Sequence, residues 1–381
     1  MSRSYLLTPG PVNVPEPIRA AMAEAMLHHR TKDFEAIIGQ CRDGMRALFG
    51  TTEEVIPMAC TGSGVMEAAV LNTCSPGDKV IAVRAGKFGE RWSNIGKRHG
   101  LEVINVDVEW GDAVEPATIA SLLKEHSDVK AVLMQANETS TAVTHPVQEI
   151  AALTRDTDTL LIVDGITAVG VFPVPMDAWG VDVLVTGSQK ALMLPPGLGL
   201  IALSKKAWAA NESAQLKTLY FDLKREAKKL ADNTTGFTPA VTLLIGLNEV
   251  LKRFAEEGYD KLYARHAAAA KATRAGVEAL GLSLFSKAAS DALTAIEFTG
   301  EPGPGPVIKH LESAYGLRAT GGQDHLKGRI MRISHMGDVD RFHVLRAIGG
   351  LESTLHDLGI RDCDGSGVAA VLRSYAQGEA R

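Results

Sequence analysis

A chain of 381 residues with 45% hydrophobic side chains can bury a large core and divide into two domains. Its 40 basic and 45 acidic residues leave a formal charge of −5, which offers no basic footprint for nucleic acid. No apolar run is long enough to cross a bilayer and Met1-Ser2-Arg3-Ser4 opens no signal-peptide core, so a cytoplasmic protein that needs no membrane is expected.

Pro9, Pro11, Pro15 and Pro17 forbid an ordinary helix at the start, so residues 1–17 read as an extended arm. His28-His29-Arg30-Thr31-Lys32 reads as a solvated basic loop. Phe34, Ile37, Ile38, Cys41, Met45, Leu48 and Phe49 then share one helical face, which Gly50 ends. From Glu54 the pattern alternates. Strands are expected over 55–59, 79–83, 103–106 and 131–135, with helices over 65–72, 88–99, 116–126 and 146–155. Two more apolar strands follow, Leu160 to Val163 and Val181 to Val185. Strand and helix in turn predict an α/β fold, a mostly parallel sheet covered on both faces.

Beyond Pro239 the pattern changes to a helical region over 242–280, broken near Gly258. Short strands over 283–285 and 293–298, a Gly/Pro loop over 300–306, a helix, a strand around Arg332 and a last helix over 338–358 predict a smaller α+β domain. The expected division is an arm over 1–17, a large domain over 18–250, a small domain over 251–365 and a tail over 366–381. The four cysteines, Cys41, Cys60, Cys74 and Cys363, have neither metal-ligand spacing nor disulfide-framework density and are expected as reduced thiols.

The chemistry concentrates in Val181 to Gly199, VDVLVTGSQKALMLPPGLG. Lys190 stands between two apolar segments, where desolvation disfavours the ammonium and favours the free amine that Schiff-base chemistry uses. A lone lysine on a loop is ordinarily a surface lysine, and a strand-end aspartate is ordinarily a cap or turn residue. Asp164, however, ends the upstream strand Leu160-Leu161-Ile162-Val163, and parallel strands deliver their C-terminal ends to one sheet edge, where ligands bind. Pyridoxal 5'-phosphate uses such a pair: a lysine for its aldehyde and a carboxylate for its pyridine nitrogen. Thr61-Gly62-Ser63-Gly64 follows a strand and opens a helix, which suits either a phosphate or a plain tight turn. Arg332, flanked by Ile330, Met331 and Ile333, should be bound to an acid.

In the order of these motifs, from Thr8-Pro9-Gly10-Pro11 to Arg332-Ile333-Ser334-His335-Met336-Gly337, the chain resembles the class V aminotransferases, nearest the alanine–glyoxylate and serine–glyoxylate (serine–pyruvate) branch. The resemblance implies the PLP-dependent transferase fold type I and a homodimer with its active site at the subunit interface. It implies that Thr61 to Gly64 and Gln189 hold the cofactor phosphate and that Phe88 stacks on the ring, where relatives often carry Trp. Thr139 would contact the ring oxygen, and Thr235 and Thr238 would reach the partner's phosphate. Thr235 stands where some relatives have Tyr; Thr238 also suits a helix N-cap. The resemblance further implies that Arg332 takes the substrate α-carboxylate, with Gly10 beside it, and that the arm wraps the partner. Ala142 stands where relatives often have Gly, and Ala168 where some have Ser near the substrate.

The implied activity moves an amino group from a small amino acid to a 2-oxo acid, glyoxylate or pyruvate, with Lys190 and Asp164 as catalytic groups. A 2-aminoethylphosphonate transaminase is the closest alternative. A cysteine desulfurase would need a Cys between Lys190 and Arg332, where there is none. A non-catalytic subunit of the same fold is the alternative of another class.

Overall fold

The computed structural model describes residues 4–216 and 218–379. Aliphatic, β-branched segments assemble into a seven-stranded sheet in the order Val55–Met58, Gly199–Leu203, Val183–Gly187, Leu160–Asp164, Val129–Gln135, Lys79–Arg84, Glu102–Asp107. Every strand runs parallel to the rest except Gly199–Leu203, which is antiparallel to both neighbours. The sequence reading stops at the Pro195-Pro196-Gly197 turn. That turn in fact reverses the chain, so that Gly199–Leu203 returns beside the strand that leads to Lys190.

All residues of Leu160–Asp164, Val183–Gly187 and Gly199–Leu203 are buried, as strands covered on both faces require. The helix Gly62–Thr73 packs on the last two. Among the helices that escaped the sequence reading are Lys205–Ser213, where Ser204 caps the Ala207 N–H, and Leu223–Ala231, where Asp222 caps the Arg225 N–H.

A four-stranded antiparallel sheet, Ser283–Leu284, Leu293–Glu297, Ile330–Ser334, Thr320–Gly321, forms the second layer system. The helix Tyr259–Ala279 packs on Leu293–Glu297. The helix Pro304–Tyr315 begins inside the expected Gly/Pro loop, because a proline in the first turn has no N–H to lose and Gly316, at φ 65°, closes the far end.

Two expectations change here. Residue 250 lies within one unbroken helix, Val241–Glu257, so the chain does not divide at that point. The region from 366 is not a tail. Ser366–Glu379 is a helix that packs along Tyr259–Ala279 and buries Val371 in the smaller hydrophobic cluster. Residues 380–381 and 1–3 lie outside the described residues.

The arm is extended only as far as Pro15, because the helix Glu16–Met22 takes Pro17 into its first turn, where a proline has no N–H to lose, and it is tied down within its own chain. Tyr5–Leu6 pairs in parallel with Leu317–Arg318, Leu7 is fully buried, and the Ser334 N–H donates to the Leu7 carbonyl at 2.8 Å. Further on, the Val12 N–H donates to the Gln189 carbonyl at 3.2 Å, so the arm runs from the smaller sheet to the loop that carries Lys190. No helix among the described residues is long and apolar enough to cross a membrane.

Candidate active site

Asp164 ends its strand, and Lys190 follows the end of the neighbouring strand after Ser188 and Gln189, so one sheet edge presents both. The lysine turn is fixed by Ser188, whose hydroxyl donates to the Pro195 carbonyl at 2.7 Å and accepts from the Leu198 N–H at 3.2 Å. The Met193 N–H closes the turn on the Lys190 carbonyl at 2.9 Å.

Lys190 is 9% exposed and Asp164 4%. Burial pushes the Lys190 amine down to about 8; Asp164 opposes the shift, while Arg332 and Arg91 add to it. Burial likewise pushes the Asp164 carboxyl up to about 7, against the Ile166 N–H that donates to Oδ1 at 2.8 Å. Lys190 Nζ donates to the Pro9 carbonyl. Gly10, at φ 113°, lies flat against the lysine stem, and a Cβ there would collide with it. Gly10 therefore makes room for Lys190.

Thr61, Gly62, Ser63, Phe88, Thr139 and Gln189 line one cavity with Asp164 and Lys190, about 600 Å³ of space continuous with solvent. Thr61 holds the N-cap position of Gly62–Thr73 without a side-chain capping bond, which leaves its hydroxyl beside the positive end of the helix. The Gln189 Oε1 is buried with no partner among the described residues, an acceptor in need of a donor. Gly64 does not line the cavity. Its N–H is spent on the Thr61 carbonyl at 2.9 Å, and its Cα faces Cys60 and Phe221.

Three lining residues escaped the sequence reading. Arg91 donates to the Ser63 hydroxyl at 2.9 Å and lies 5.0 Å over the Phe88 ring. It follows Phe88 by three positions, so a helix that aims one at the cavity aims the other there too. Thr167 bonds the Thr139 hydroxyl at 2.9 Å and accepts from the Asn137 amide at 2.7 Å. Ile166 fills the space in front of Gly62, where a Cβ would strike it.

Arg332 corrects an expectation. It is 6% exposed, yet it is bound to no acid among the described residues. Its Nε and Nη2 donate to the Gly321 carbonyl at 3.1 and 2.8 Å, and its Nη1 to the Thr139 carbonyl at 2.9 Å. Antiparallel neighbours on both sides of Ile330–Ser334 hold the backbone, and the guanidinium reaches from that sheet to the carbonyl of Thr139, which lines the cavity, without lining it itself. Burial lowers its pKa to about 10.

Thr235 and Thr238 stand elsewhere in the chain. They line a separate depression of about 320 Å³ with Tyr220 and Phe237. Thr235 donates to the Phe237 carbonyl at 2.7 Å, and Arg30 from the basic loop donates to the Thr235 carbonyl at 3.1 Å. Thr238 caps nothing: the helix starts at Val241 after Ala240, with no side-chain cap. Ala142 adopts φ 59°, the left-handed conformation that glycine takes at no cost.

The chain is similar to many known proteins. It is 37% identical to the soluble hydrogenase 42 kDa subunit of Anabaena cylindrica, over 97% of this chain and 98% of that one. It is 37% identical to the serine–glyoxylate aminotransferase of Methylorubrum extorquens, over 97% of this chain and 95% of that one. Among solved structures it superposes on the ureidoglycine–glyoxylate aminotransferase of Bacillus subtilis with a TM-score of 0.93 at 28% identity, covering 99% of both chains. The family model of the class-V aminotransferases matches residues 9–335. The span from the arm's Pro9 to His335 thus carries the family pattern on a fold-type I scaffold, and the chain belongs to the class-V aminotransferases.

Proposed function

We propose that the Lys190 cavity binds pyridoxal 5'-phosphate and that the enzyme moves an amino group from a small amino acid, alanine or serine in type, to glyoxylate or pyruvate. The observation that carries this reading is the buried pair. An amine lowered to about 8 and a carboxyl beyond it share one cavity with a helix N-terminus, Arg91 and the hydroxyls of Thr61, Ser63, Thr139 and Thr167. An anion fits the helix end, a protonated ring nitrogen fits Asp164, and an aldehyde fits Lys190, so the residues present suit the cofactor that the family implies. The serine–glyoxylate and ureidoglycine–glyoxylate names of the relatives support glyoxylate as acceptor.

The chemistry supplied by bound pyridoxal phosphate is an aldehyde carbon for the amino group and a ring that takes up the electrons released at Cα. Asp164 keeps the ring nitrogen protonated. Lys190, with an amine near neutral pKa, removes the Cα proton and returns it one position away. Thr61, Gly62, Ser63 and Gln189 hold the phosphate; Phe88 covers a ring face, and Thr139 with Thr167 faces the ring hydroxyl. Arg332 offers its planar fork to the substrate α-carboxylate, in exchange for two carbonyls.

The two hydrophobic clusters support a large cofactor-binding domain and a small C-terminal one. A homodimer belongs to the proposal as well, because Thr235 and Thr238 lie outside their own chain's Lys190 cavity, as residues serving a partner would. Four free cysteines suit the cytoplasm. Burial pushes the Cys41 thiol up to about 12 and those of Cys60 and Cys74 to about 11, which makes them poor nucleophiles for desulfurase chemistry.

Purified protein should absorb at about 410–430 nm, as a conjugated imine on lysine does. Borohydride should bleach that band and fix the cofactor to Lys190, and Lys190→Ala should lose both band and turnover. A panel of amino donors against glyoxylate and pyruvate should show alanine or serine ahead of 2-aminoethylphosphonate. A cofactor-loaded Lys190→Ala protein with wild-type turnover would sink the reading.

A further inference from the structure

Glu138 is fully buried and forms no ion pair among the described residues, yet both its oxygens are committed. Oε2 accepts the N–H groups of Phe88 and Gly89 at 3.1 and 2.9 Å. Oε1 accepts the Ser140 N–H at 3.0 Å and the Ser140 hydroxyl at 2.6 Å. The same hydroxyl accepts the Lys87 N–H at 3.0 Å. Gly86, at the N-cap of the helix Lys87–Arg98, supplies no side-chain cap, so the 138–140 segment satisfies the first three N–H groups of that helix from across the cavity wall. Between Glu138 and Ser140 sits Thr139, whose carbonyl receives Arg332 Nη1 and whose hydroxyl bonds Thr167. One carboxylate thus ties Phe88, at the cavity, to the backbone on which Arg332 rests.

We propose that Glu138 is a positioning residue, one that clamps the first turn of Lys87–Arg98 to the 138–140 segment and so sets the spacing between ring-stacking Phe88 and carboxylate-binding Arg332. The inference rests on the proposed cofactor and substrate sites. A desolvated carboxylate tolerates burial only with its lone pairs filled, and here three backbone N–H groups and a hydroxyl fill them. Glutamine in its place keeps the volume but turns an NH₂ group toward N–H donors. The helix start then shifts, and with it Phe88 and the Thr139 carbonyl.

The experiment compares Glu138→Gln with Glu352→Gln, a change at another buried carboxylate, on the helix Arg341–Asp357 away from the cavity. Glu138→Gln is expected to lose much of the visible circular dichroism of the bound cofactor and to raise KM about tenfold for amino and oxo acids alike, as loss of hydrogen bonds to a charged acceptor allows. Glu352→Gln is expected to lower the melting temperature and leave both readouts alone. If Glu138→Gln also changes only the melting temperature, Glu138 is structural and the proposal fails. Should Glu138→Gln not fold, Ser140→Ala removes the outer half of the clamp; a KM increase of about threefold with altered dichroism supports the proposal, and wild-type values overturn it. A wild-type protein with no visible band overturns the cofactor reading, and this inference with it. A normal wild-type band beside an unaltered Glu138→Gln site overturns this inference alone.

Discussion

Lys190 and Arg332 are two buried cations, one lining the cavity and one bonded to the carbonyl of Thr139 in its wall, and the protein treats them differently. Lys190 stands on the edge of the seven-stranded sheet with Asp164 near enough to oppose its loss of a proton. Arg332 stands on the four-stranded sheet with backbone carbonyls alone around its guanidinium. A buried charge is expensive unless it is paired or neutralised. Lys190 has both remedies, an opposing carboxylate and a pKa lowered to about 8. Arg332, lowered only to about 10, stays charged at neutral pH; the buried Glu138 opposes the shift, but no acid among the described residues bonds the guanidinium. The amine on the seven-stranded side is therefore partly neutralised within the chain, whereas the four-stranded side holds a charged guanidinium bonded only to backbone carbonyls, which an incoming carboxylate would pair.

Removing the carboxylate tests the first half of that contrast and should give the largest effect. Asp164→Ala leaves the helix end at Thr61, proposed to hold the phosphate, and Phe88 in place, so much of the cofactor should remain bound. Without the group that protonates the ring nitrogen, kcat should fall about 10³-fold, the scale of losing one preorganised electrostatic partner. Steady-state kinetics on the fully loaded variant check this. Wild-type kcat would make Asp164 a structural residue and leave the lysine compensated for some other reason.

Arg332→Ala tests the second half. If the guanidinium, bonded to no acid, awaits the substrate carboxylate, KM should rise for every amino and 2-oxo acid alike. The loss should be about 3 kcal/mol, within the range for one member of a desolvated charge pair. The visible spectrum should survive, since the cofactor does not need this residue. A fall in melting temperature with unchanged KM would instead give Arg332 a purely structural role, that of tying Thr139 to Gly321.

The same contrast explains what could be read from the sequence. Lys190 and Asp164 were legible because a strand-end residue is announced by the apolar run before it, and parallel strands share an edge. The passage from strand to helix at Thr61 to Gly64 was legible for the same reason, although the helix begins at Gly62, three residues before the expected Val65. The true partners of Arg332 were not, because the Gly321 and Thr139 carbonyls are backbone atoms brought together by folding, and no side-chain pattern records them. The strand Gly199–Leu203 was hidden by the turn before it: five apolar residues after Pro-Pro-Gly carry no sign of direction. Nothing in the sequence marks Glu138, since a helix cap supplied from a distant segment leaves no local signature. The helix Ser366–Glu379 was missed because the face it buries, Gly367, Ala370, Val371 and Ser374, has helical spacing but small or polar side chains, while Leu372 faces solvent.

The smallest effect expected is one of pH, and it separates the two sides of the site. Burial holds the Asp164 carboxyl at about 7 in the folded protein, above its ordinary 3.8, so folding is favoured by protons there and that contribution is lost as pH rises through 7. On the other side, His266 lies fully buried on the helix Tyr259–Ala279. Its Nδ1 bonds the Leu262 carbonyl at 2.8 Å and its Nε2 accepts the Gly337 N–H at 3.2 Å, next to the end of the Arg332 strand. A protonated Nε2 would face that N–H as donor to donor, so the geometry requires the neutral ring. Burial, helped by Arg265, accordingly lowers the pKa from 6.5 to about 4. The unfolded chain takes up its proton first, so the stability is intact above about 6.5 and is lost as pH falls toward 4, at about 1.4 kcal/mol per pH unit. His335 and His343, buried in the same region, shift in the same direction. Acid should therefore loosen the four-stranded side while Asp164 gains. Melting curves of the apo protein at about pH 7.5 and 5.5, for wild type and His266→Gln, read the effect as a difference of slopes. The variant should lose about 1.4 kcal/mol less than wild type across that interval. Equal losses would mean that His266 is not the group that senses the acid.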